Sequence, residues 1–350
     1  MVNSRPGLVL SCSLGLLFGT GACYWAYRWL FHKGKGNGRA GEEKGTAANA
    51  GKAAQAGERS CQSGNASGLL EKVSGIRVTS GGEKAPTDDH SKSASGNLQA
   101  HHLQKLIRLL QTTEYCSVRE QVLITLSNSA AFSVNQDLIR ELGGLSVIGE
   151  TLSDPSTEVK VKALNALNNL SMNRENQEHI QVYISEICSD VALSPLNSDL
   201  QLAGLRLLTN MSVTNDYQQM MVNKVPYFLH LLSAGNETTQ IHVLKVLVNL
   251  SANPAMTKDL LSVQAPPLLI FLFDSHTHVD VLLRALTFVA NLNDNLRSQL
   301  SSAGHCQYSE ESLFSLFFGE SEYSQRLALL LQHPDADVKR CVARIMTKQS

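Results

Sequence analysis

Residues 143–171 read GGLSVIGETLSDPSTEVKVKALNALNNLS, and this stretch decides the fold. Its short apolar first part ends in a Ser-Asp-Pro-Ser turn at 153–156, whose side chains can cap a following helix. The apolar residues of 157–170 then recur at helical spacing, which places them on one face. The stretch therefore predicts a short helix, a capped turn and a longer amphipathic helix that begins at Thr157.

An asparagine near the end of this longer helix recurs along the chain. The five copies, called the ladder asparagines below, are Asn128, Asn169, Asn210, Asn249 and Asn291. Their intervals are 41, 41, 39 and 42 residues. A period of about 40 residues is typical of a helical solenoid, whose units bury their apolar faces by stacking on each other. The period predicts an all-α solenoid of about six repeats over residues 98–350.

The motifs within 143–171 resemble armadillo repeats, most clearly in Gly-Gly-Leu, Asp-Pro-Ser-Thr-Glu-Val-Lys and Leu-Asn-Asn-Leu-Ser. The resemblance implies a right-handed solenoid in which the third helix of each repeat lines a concave groove. It also implies that the ladder asparagines bind the backbone of an extended peptide, since a carboxamide both donates and accepts hydrogen bonds. The alternative is that they only bond neighbouring repeats to each other.

Positive side chains accompany the ladder asparagines. The positions seven and four residues before each asparagine share its helix face. They include a charge stripe of four permanent cations and no acid: Lys162, Arg206, Lys245 and Arg284. Tryptophan, which the best-known peptide-binding armadillo proteins carry four residues before the asparagine, is absent there. The charge stripe predicts a groove that prefers an acidic or phosphorylated segment; a solvated face with basic residues by chance is the alternative.

The N-terminal region predicts a membrane anchor and a tether. Residues 8–27, from Leu8 to Tyr27, contain no charge and at about 1.5 Å per residue can span a bilayer as one transmembrane helix. Most nearby basic residues follow this run, which predicts a cytosolic C-terminal domain. A cleaved signal peptide with Gly-Thr-Gly-Ala at 19–22 is the alternative. Residues 33–97 are rich in Gly, Ala and Ser and predict a disordered tether.

This layout is similar to that of the armadillo-repeat-containing X-linked family, and AAFSVNQ at 130–136 and PLNSDLQLAGL at 195–205 add to the likeness. The resemblance implies an adaptor in the mitochondrial outer membrane with a role in mitochondrial transport, distribution and dynamics. It also implies Miro GTPases and TRAK motor adaptors as partners. The residues alone leave open an endoplasmic reticulum anchor, a scaffold that self-associates as a homo-oligomer, and a soluble or secreted armadillo domain.

The sequence gives no support to an enzyme or to nucleic-acid binding. It contains no His-Glu-x-x-His, Gly-x-Ser-x-Gly or Walker motif, and its seven cysteines are widely spaced without a Cys-x-x-Cys pair. The whole chain carries −1, residues 1–40 carry +5 and residues 41–97 carry zero, so residues 98–350 carry −6. A negative domain is poorly suited to phosphate backbones. The prediction is a protein-binding module without catalytic residues, metal or cofactor.

Overall fold

The computed structural model describes residues 100–300, 307–319 and 322–346, which all belong to one compact unit. Sixteen α-helices and five short 3-10 helices make up these ranges. In chain order the α-helices are α1 (Ala100–Thr112), α2 (Cys116–Ser129), α3 (Ser133–Glu141), α4 (Gly144–Glu150), α5 (Thr157–Leu170), α6 (Arg174–Ile180), α7 (Ile184–Leu193), α8 (Asp199–Met211), α9 (Asn215–Gln218), α10 (Val225–Ala234), α11 (Glu237–Ala252), α12 (Thr257–Leu261), α13 (Val279–Leu300), α14 (Leu313–Phe318), α15 (Glu322–Leu330) and α16 (Ala336–Met346). The 3-10 helices are Thr151–Ser153, Gln181–Tyr183, Gln219–Lys224, Pro254–Met256 and Pro267–Leu272.

The predicted helix after the Ser-Asp-Pro-Ser turn is confirmed as α5. It begins at Thr157 because the Ser156 hydroxyl accepts a hydrogen bond from the Val159 N–H at 3.4 Å. The Asp154 carboxylate accepts from the Ser156 N–H at 2.8 Å, which fixes the turn before it. The shorter preceding helix, α4, ends at Glu150 and continues as the 3-10 helix Thr151–Ser153.

The third helix of each repeat packs against the third helix of the next. The series α2, α5, α8, α11, α13 and α16 runs through the described part of the chain in this way. The residue two positions before each ladder asparagine is fully buried in these contacts, as Leu126, Leu167, Leu208, Leu247 and Val289 show. The apolar face of each third helix is therefore covered by its neighbours, and the result is an all-helical armadillo-like solenoid.

The fifth repeat departs from the pattern. Pro266 precedes and Pro267 begins a 3-10 helix that ends at Leu272, where the other repeats have a second α-helix. Its third helix, α13, then extends to Leu300. The sequence after Asn291 reads Leu-Asn-Asp-Asn-Leu and lacks a glycine or proline that would stop a helix. Pro226 lies in the first turn of α10, where the missing N–H of proline costs no helical hydrogen bond.

The predicted anchor at 8–27 and the predicted tether at 33–97 lie outside the described residues. Inside the ranges 100–300, 307–319 and 322–346, no helix combines the length and the apolar character that a membrane crossing requires.

Candidate functional site

Four ladder asparagines bond each repeat to the one before it. The Asn169 Nδ2 atom donates to the Ser127 carbonyl at 3.0 Å and to the Ser127 hydroxyl at 3.1 Å. The Asn210 Nδ2 atom donates to the Asn168 carbonyl at 3.0 Å. The equivalent bonds run from Asn249 to the Thr209 carbonyl at 3.1 Å and from Asn291 to the Val248 carbonyl at 3.5 Å. In every case the acceptor is the residue just before the preceding ladder asparagine.

A serine in three of the repeats receives a second bond from the next ladder asparagine. Asn210 donates to the Ser171 hydroxyl at 3.0 Å, Asn249 to the Ser212 hydroxyl at 2.9 Å and Asn291 to the Ser251 hydroxyl at 3.1 Å. Each serine stands two residues after a ladder asparagine, which explains why Asn-x-Ser recurs along the chain. That recurrence is the sequence signal for these three serines, which the spacing of the asparagines alone does not identify.

These bonds limit which atoms of the ladder asparagines can form hydrogen bonds with a ligand. A carboxamide nitrogen has two N–H groups, and in Asn169, Asn210, Asn249 and Asn291 this nitrogen donates to two or more atoms of the preceding repeat. A clamp that both donates to and accepts from a peptide backbone therefore does not fit these four side chains. Their Oδ1 atoms remain as acceptors for a peptide N–H, although that of Asn169 already accepts from Asn168 at 3.3 Å.

Replacing Asn210 by alanine is expected to lower the free energy of unfolding by about 1–2 kcal/mol, because the Asn168 carbonyl and the Ser171 hydroxyl lose a donor between packed repeats. Urea unfolding followed by helical circular dichroism measures the change. Asn128→Ala is the control: Asn128 is exposed and its side chain makes no hydrogen bond to the described residues, so the expected change is below about 0.5 kcal/mol. Equal effects of the two substitutions would contradict this account of the ladder.

The four cations of the charge stripe differ in their surroundings. Arg206 is exposed, Lys162 and Lys245 are half-buried, and Arg284 is buried. The Arg284 guanidinium donates to the Asp280 carboxylate at 3.1 Å and to the Asp280 carbonyl at 2.6 Å. Asp280 stands four residues before Arg284 in α13, at a position that the stripe does not include. Part of the Arg284 charge is therefore already compensated.

Three of the four cations act on one histidine. His242, seven residues before Asn249, has its pKa lowered to about 3 by burial and by the nearby charges of Lys245, Arg206 and Arg284. Burial also lowers the pKa of Lys245, as do Arg284 and Arg206, while Asp280 opposes the shift. Helices α8, α11 and α13 thus bring Arg206, His242, Lys245 and Arg284 into one basic cluster. Lys162, on α5, does not contribute to these shifts.

A second row of side-chain amides, which the sequence does not predict, bonds to backbone carbonyls close to the ladder asparagines. Buried glutamines at the starts of three repeats donate to the carbonyl two residues after a ladder asparagine: Gln136 to Ala130, Gln177 to Ser171 and Gln218 to Ser212, each at 2.8 Å. Asn295 of the long helix α13 makes the equivalent bond to the Ser251 carbonyl at 2.8 Å. This row, called the buried amide row below, ties each third helix to the repeat that follows it.

The fold and this row of third helices define an armadillo-type repeat solenoid. The family model for armadillo-like proteins matches residues 98–318, and the chain belongs to that family. The fold is also that of designed proteins of known structure. The designed armadillo repeat protein YIII(Dq)4CqI has 17% sequence identity to this chain, with a TM-score of 0.55 over 71% of this chain and 100% of the designed one.

Two further designed structures are similar. The designed armadillo repeat protein YIII(Dq.V1)4CPAF, solved in complex with the peptide (KR)4, has 16% identity and a TM-score of 0.57, and the match covers 71% of this chain and 99% of that one. A computationally designed armadillo repeat protein for modular peptide recognition has 18% identity and a TM-score of 0.55, with 70% and 98% of the two chains covered. At these identities the likeness establishes the fold.

Proposed function

We propose that the solenoid is a non-enzymatic protein-binding adaptor whose third helices bind an extended acidic segment of a partner. The basic cluster carries this proposal. Arg206, Lys245 and Arg284 come from three successive third helices, each on the turns just before a ladder asparagine. Asp280 pairs with Arg284 and opposes the lowering of the Lys245 pKa. An array of cations beside a row of backbone-binding groups suits a chain that carries negative charge.

The proposed ligand is negatively charged, whereas the peptide bound by one of the similar designed proteins is positively charged. The designed protein with a TM-score of 0.57 was solved with (KR)4, a peptide of alternating lysine and arginine. The groove of the present chain carries cations on α8, α11 and α13, so a peptide of that kind would be repelled. The Oδ1 atoms of Asn210, Asn249 and Asn291 are the acceptors that we assign to the N–H groups of the bound segment.

Combining Arg206→Glu with Lys245→Gln is expected to weaken the binding of an acidic peptide by at least about tenfold, since each lost charged contact is worth about 1.5–3 kcal/mol in a favourable site. Fluorescence anisotropy on the full chain measures this with a labelled peptide of alternating serine and glutamate, at low and at physiological salt. Arg284 is left unchanged, because a glutamate there would be buried close to Asp280 and would destabilise the fold.

The matched control is Arg174→Glu with Lys258→Gln, which changes the net charge by the same amount at two exposed positions on first helices of their repeats. It should bind the acidic peptide as the unchanged protein does. A serine–lysine peptide should bind neither protein well. Equal losses in both double variants would show that only net charge matters and would overturn the proposed groove. Acidic-peptide binding that neither double variant changes would also overturn the proposed groove.

For the full chain we propose a location on the cytosolic face of the mitochondrial outer membrane, with the uncharged run at 8–27 as its single anchor. The resemblance of the sequence layout to the armadillo-repeat-containing X-linked family supports this, and it supports Miro GTPases and TRAK motor adaptors as partners. A chain tagged at its C-terminus should co-purify with mitochondria, resist carbonate extraction and lose its tag to external protease. Recovery in the endoplasmic reticulum fraction, or retention on mitochondria after removal of residues 1–27, would overturn this proposal.

A further inference from the structure

The basic cluster contains more than surface cations. Lys245 is half-buried and the Arg284 side chain is only 8% exposed, so both charges have lost much of their hydration. Within the described residues, Nδ1 of His242 is buried without a hydrogen-bond partner, whereas Nε2 is not among such buried atoms. Like charges held close together in partly dry surroundings repel each other, and an unpaired buried polar atom is costly. The cluster is therefore organised at an energetic cost that a bound anion would relieve.

The charges around His242 come from three successive third helices. Helix α8 supplies Arg206, α11 itself supplies Lys245, and α13 supplies Arg284 with Asp280. Helix α10 also packs on α11, and its titratable side chains Tyr227 and His230 contact each other. Three cations thus act on His242, and Asp280, the carboxylate that acts on Lys245, is itself bonded to Arg284.

We propose that Arg206, His242, Lys245 and Arg284 form one anion subsite that holds a phosphoryl group on the bound segment and takes up a proton on His242 as it does so. This proposal rests on the proposed function, because the segment must lie along the ladder. A doubly charged group matches the number of cations here better than a single carboxylate does. Nε2 is the ring atom that a ligand can reach, and in the protonated ring both nitrogens are donors.

The proton uptake follows from the charge balance of the empty and filled site. In the empty site, burial and three neighbouring cations hold the pKa of His242 at about 3, so the ring is neutral at neutral pH. A dianion in contact with the ring stabilises the protonated form and raises this pKa. The bound state then holds more protons than the free state. By linkage, affinity must rise as pH falls through the pKa of the bound state toward that of the free state, by at most tenfold per pH unit for one proton.

The test uses the full chain and three labelled versions of one serine-rich peptide: with one phosphoserine, with one sulfated tyrosine, and unmodified. At about pH 7.5 the phosphorylated peptide should bind at least about tenfold more tightly than the unmodified one. The sulfate ester keeps its charge between about pH 8 and about pH 5.5, whereas a phosphate monoester protonates near pH 6. The sulfated peptide therefore reports the protonation of the protein alone, and it should bind about three- to tenfold more tightly at the lower pH.

His242→Gln keeps a polar side chain that does not titrate in this range, so it should remove the pH dependence of sulfated-peptide binding. Calorimetry in two buffers of different ionisation enthalpy should show proton uptake by the original chain and none by the variant. A pH dependence that survives in His242→Gln would overturn the inference and leave the proposed function intact. Equal affinity for phosphorylated and unmodified peptides would also overturn it.

Two competition experiments distinguish a phosphorylated peptide from free phosphate and from a lipid headgroup as the ligand. Inorganic phosphate at millimolar concentration should compete with the phosphorylated peptide only weakly, because it makes none of the backbone contacts along the ladder. Vesicles that contain phosphatidylserine should not displace the peptide. Binding of these vesicles in place of the peptide would identify the cluster as a membrane contact and overturn the proposal. Failure of every peptide to bind would instead overturn the proposed function itself.

Discussion

Replacing Tyr323 by alanine is expected to lower the free energy of unfolding by about 3–5 kcal/mol, the range for removal of a large buried aromatic side chain. Tyr323 lies at the start of α15 and is fully buried. Its ring packs edge-on against Phe273, with centroids 4.8 Å apart, and against Phe317 at 5.1 Å. These contacts hold the terminal repeat on the fifth one. Urea unfolding of the full chain measures the loss.

Tyr323→Phe is the informative control, because it keeps the ring and removes only the hydroxyl. That hydroxyl is buried and has no hydrogen-bond partner among the described residues. The phenylalanine variant should therefore be as stable as the original chain or more stable by about 1–2 kcal/mol. A clear loss of stability in Tyr323→Phe would show that the hydroxyl has a partner, and would contradict this account of the site.

The unchanged protein and Tyr323→Phe are also expected to differ in how their stability depends on pH above 10. Burial raises the pKa of Tyr323 well above 10. Above pH 10 the unfolded chain loses this proton and the folded chain keeps it, so stability falls as pH rises, by at most about 1.4 kcal/mol per pH unit from this residue. Tyr323→Phe should show a shallower decline over the same range than the unchanged protein. Parallel declines in the two proteins would contradict the assignment.

The fold could be predicted from the sequence because its evidence is local and repeated. The helix Thr157–Leu170 follows from the capping serine and the spacing of the apolar residues, and the period of the asparagines places its copies. The 3-10 helix Pro267–Leu272 was not predicted, since a helix beginning at Pro266 is an equally good local interpretation. Two consecutive prolines lack backbone donors and restrict the turn, and the choice between helix types depends on packing.

The site could be predicted only in part. The asparagine period locates the ladder, but the use of its Nδ2 atoms depends on the distance between neighbouring third helices, which a single sequence does not contain. The pairing of Asp280 with Arg284 has the four-residue spacing of a helical ion pair and was open to prediction. The position of His242 among three cations was not, because these residues come from three helices separated by about forty residues each.

A second large loss of stability is expected from a substitution in the buried amide row. Replacing Gln218 by alanine is expected to cost about 2–4 kcal/mol, because three polar groups lose a partner in a site that is 1% exposed. The Gln218 Nε2 atom donates to the Ser212 carbonyl at 2.8 Å and to the Asn249 carbonyl at 3.3 Å. Its Oε1 atom accepts from Asn253 at 2.7 Å. One side chain thus connects the ends of α8 and α11.

Gln219→Ala provides a matched control, since the neighbouring glutamine is exposed and makes one hydrogen bond, to Asp259 at 3.4 Å. Its loss should cost less than about 0.5 kcal/mol. Because α8 and α11 also carry Arg206 and Lys245, Gln218→Ala should weaken acidic-peptide binding as well, under conditions where circular dichroism shows the chain still folded. Loss of stability with unchanged peptide affinity would separate the two roles: the buried amide row would then hold the solenoid together without setting the geometry of its groove.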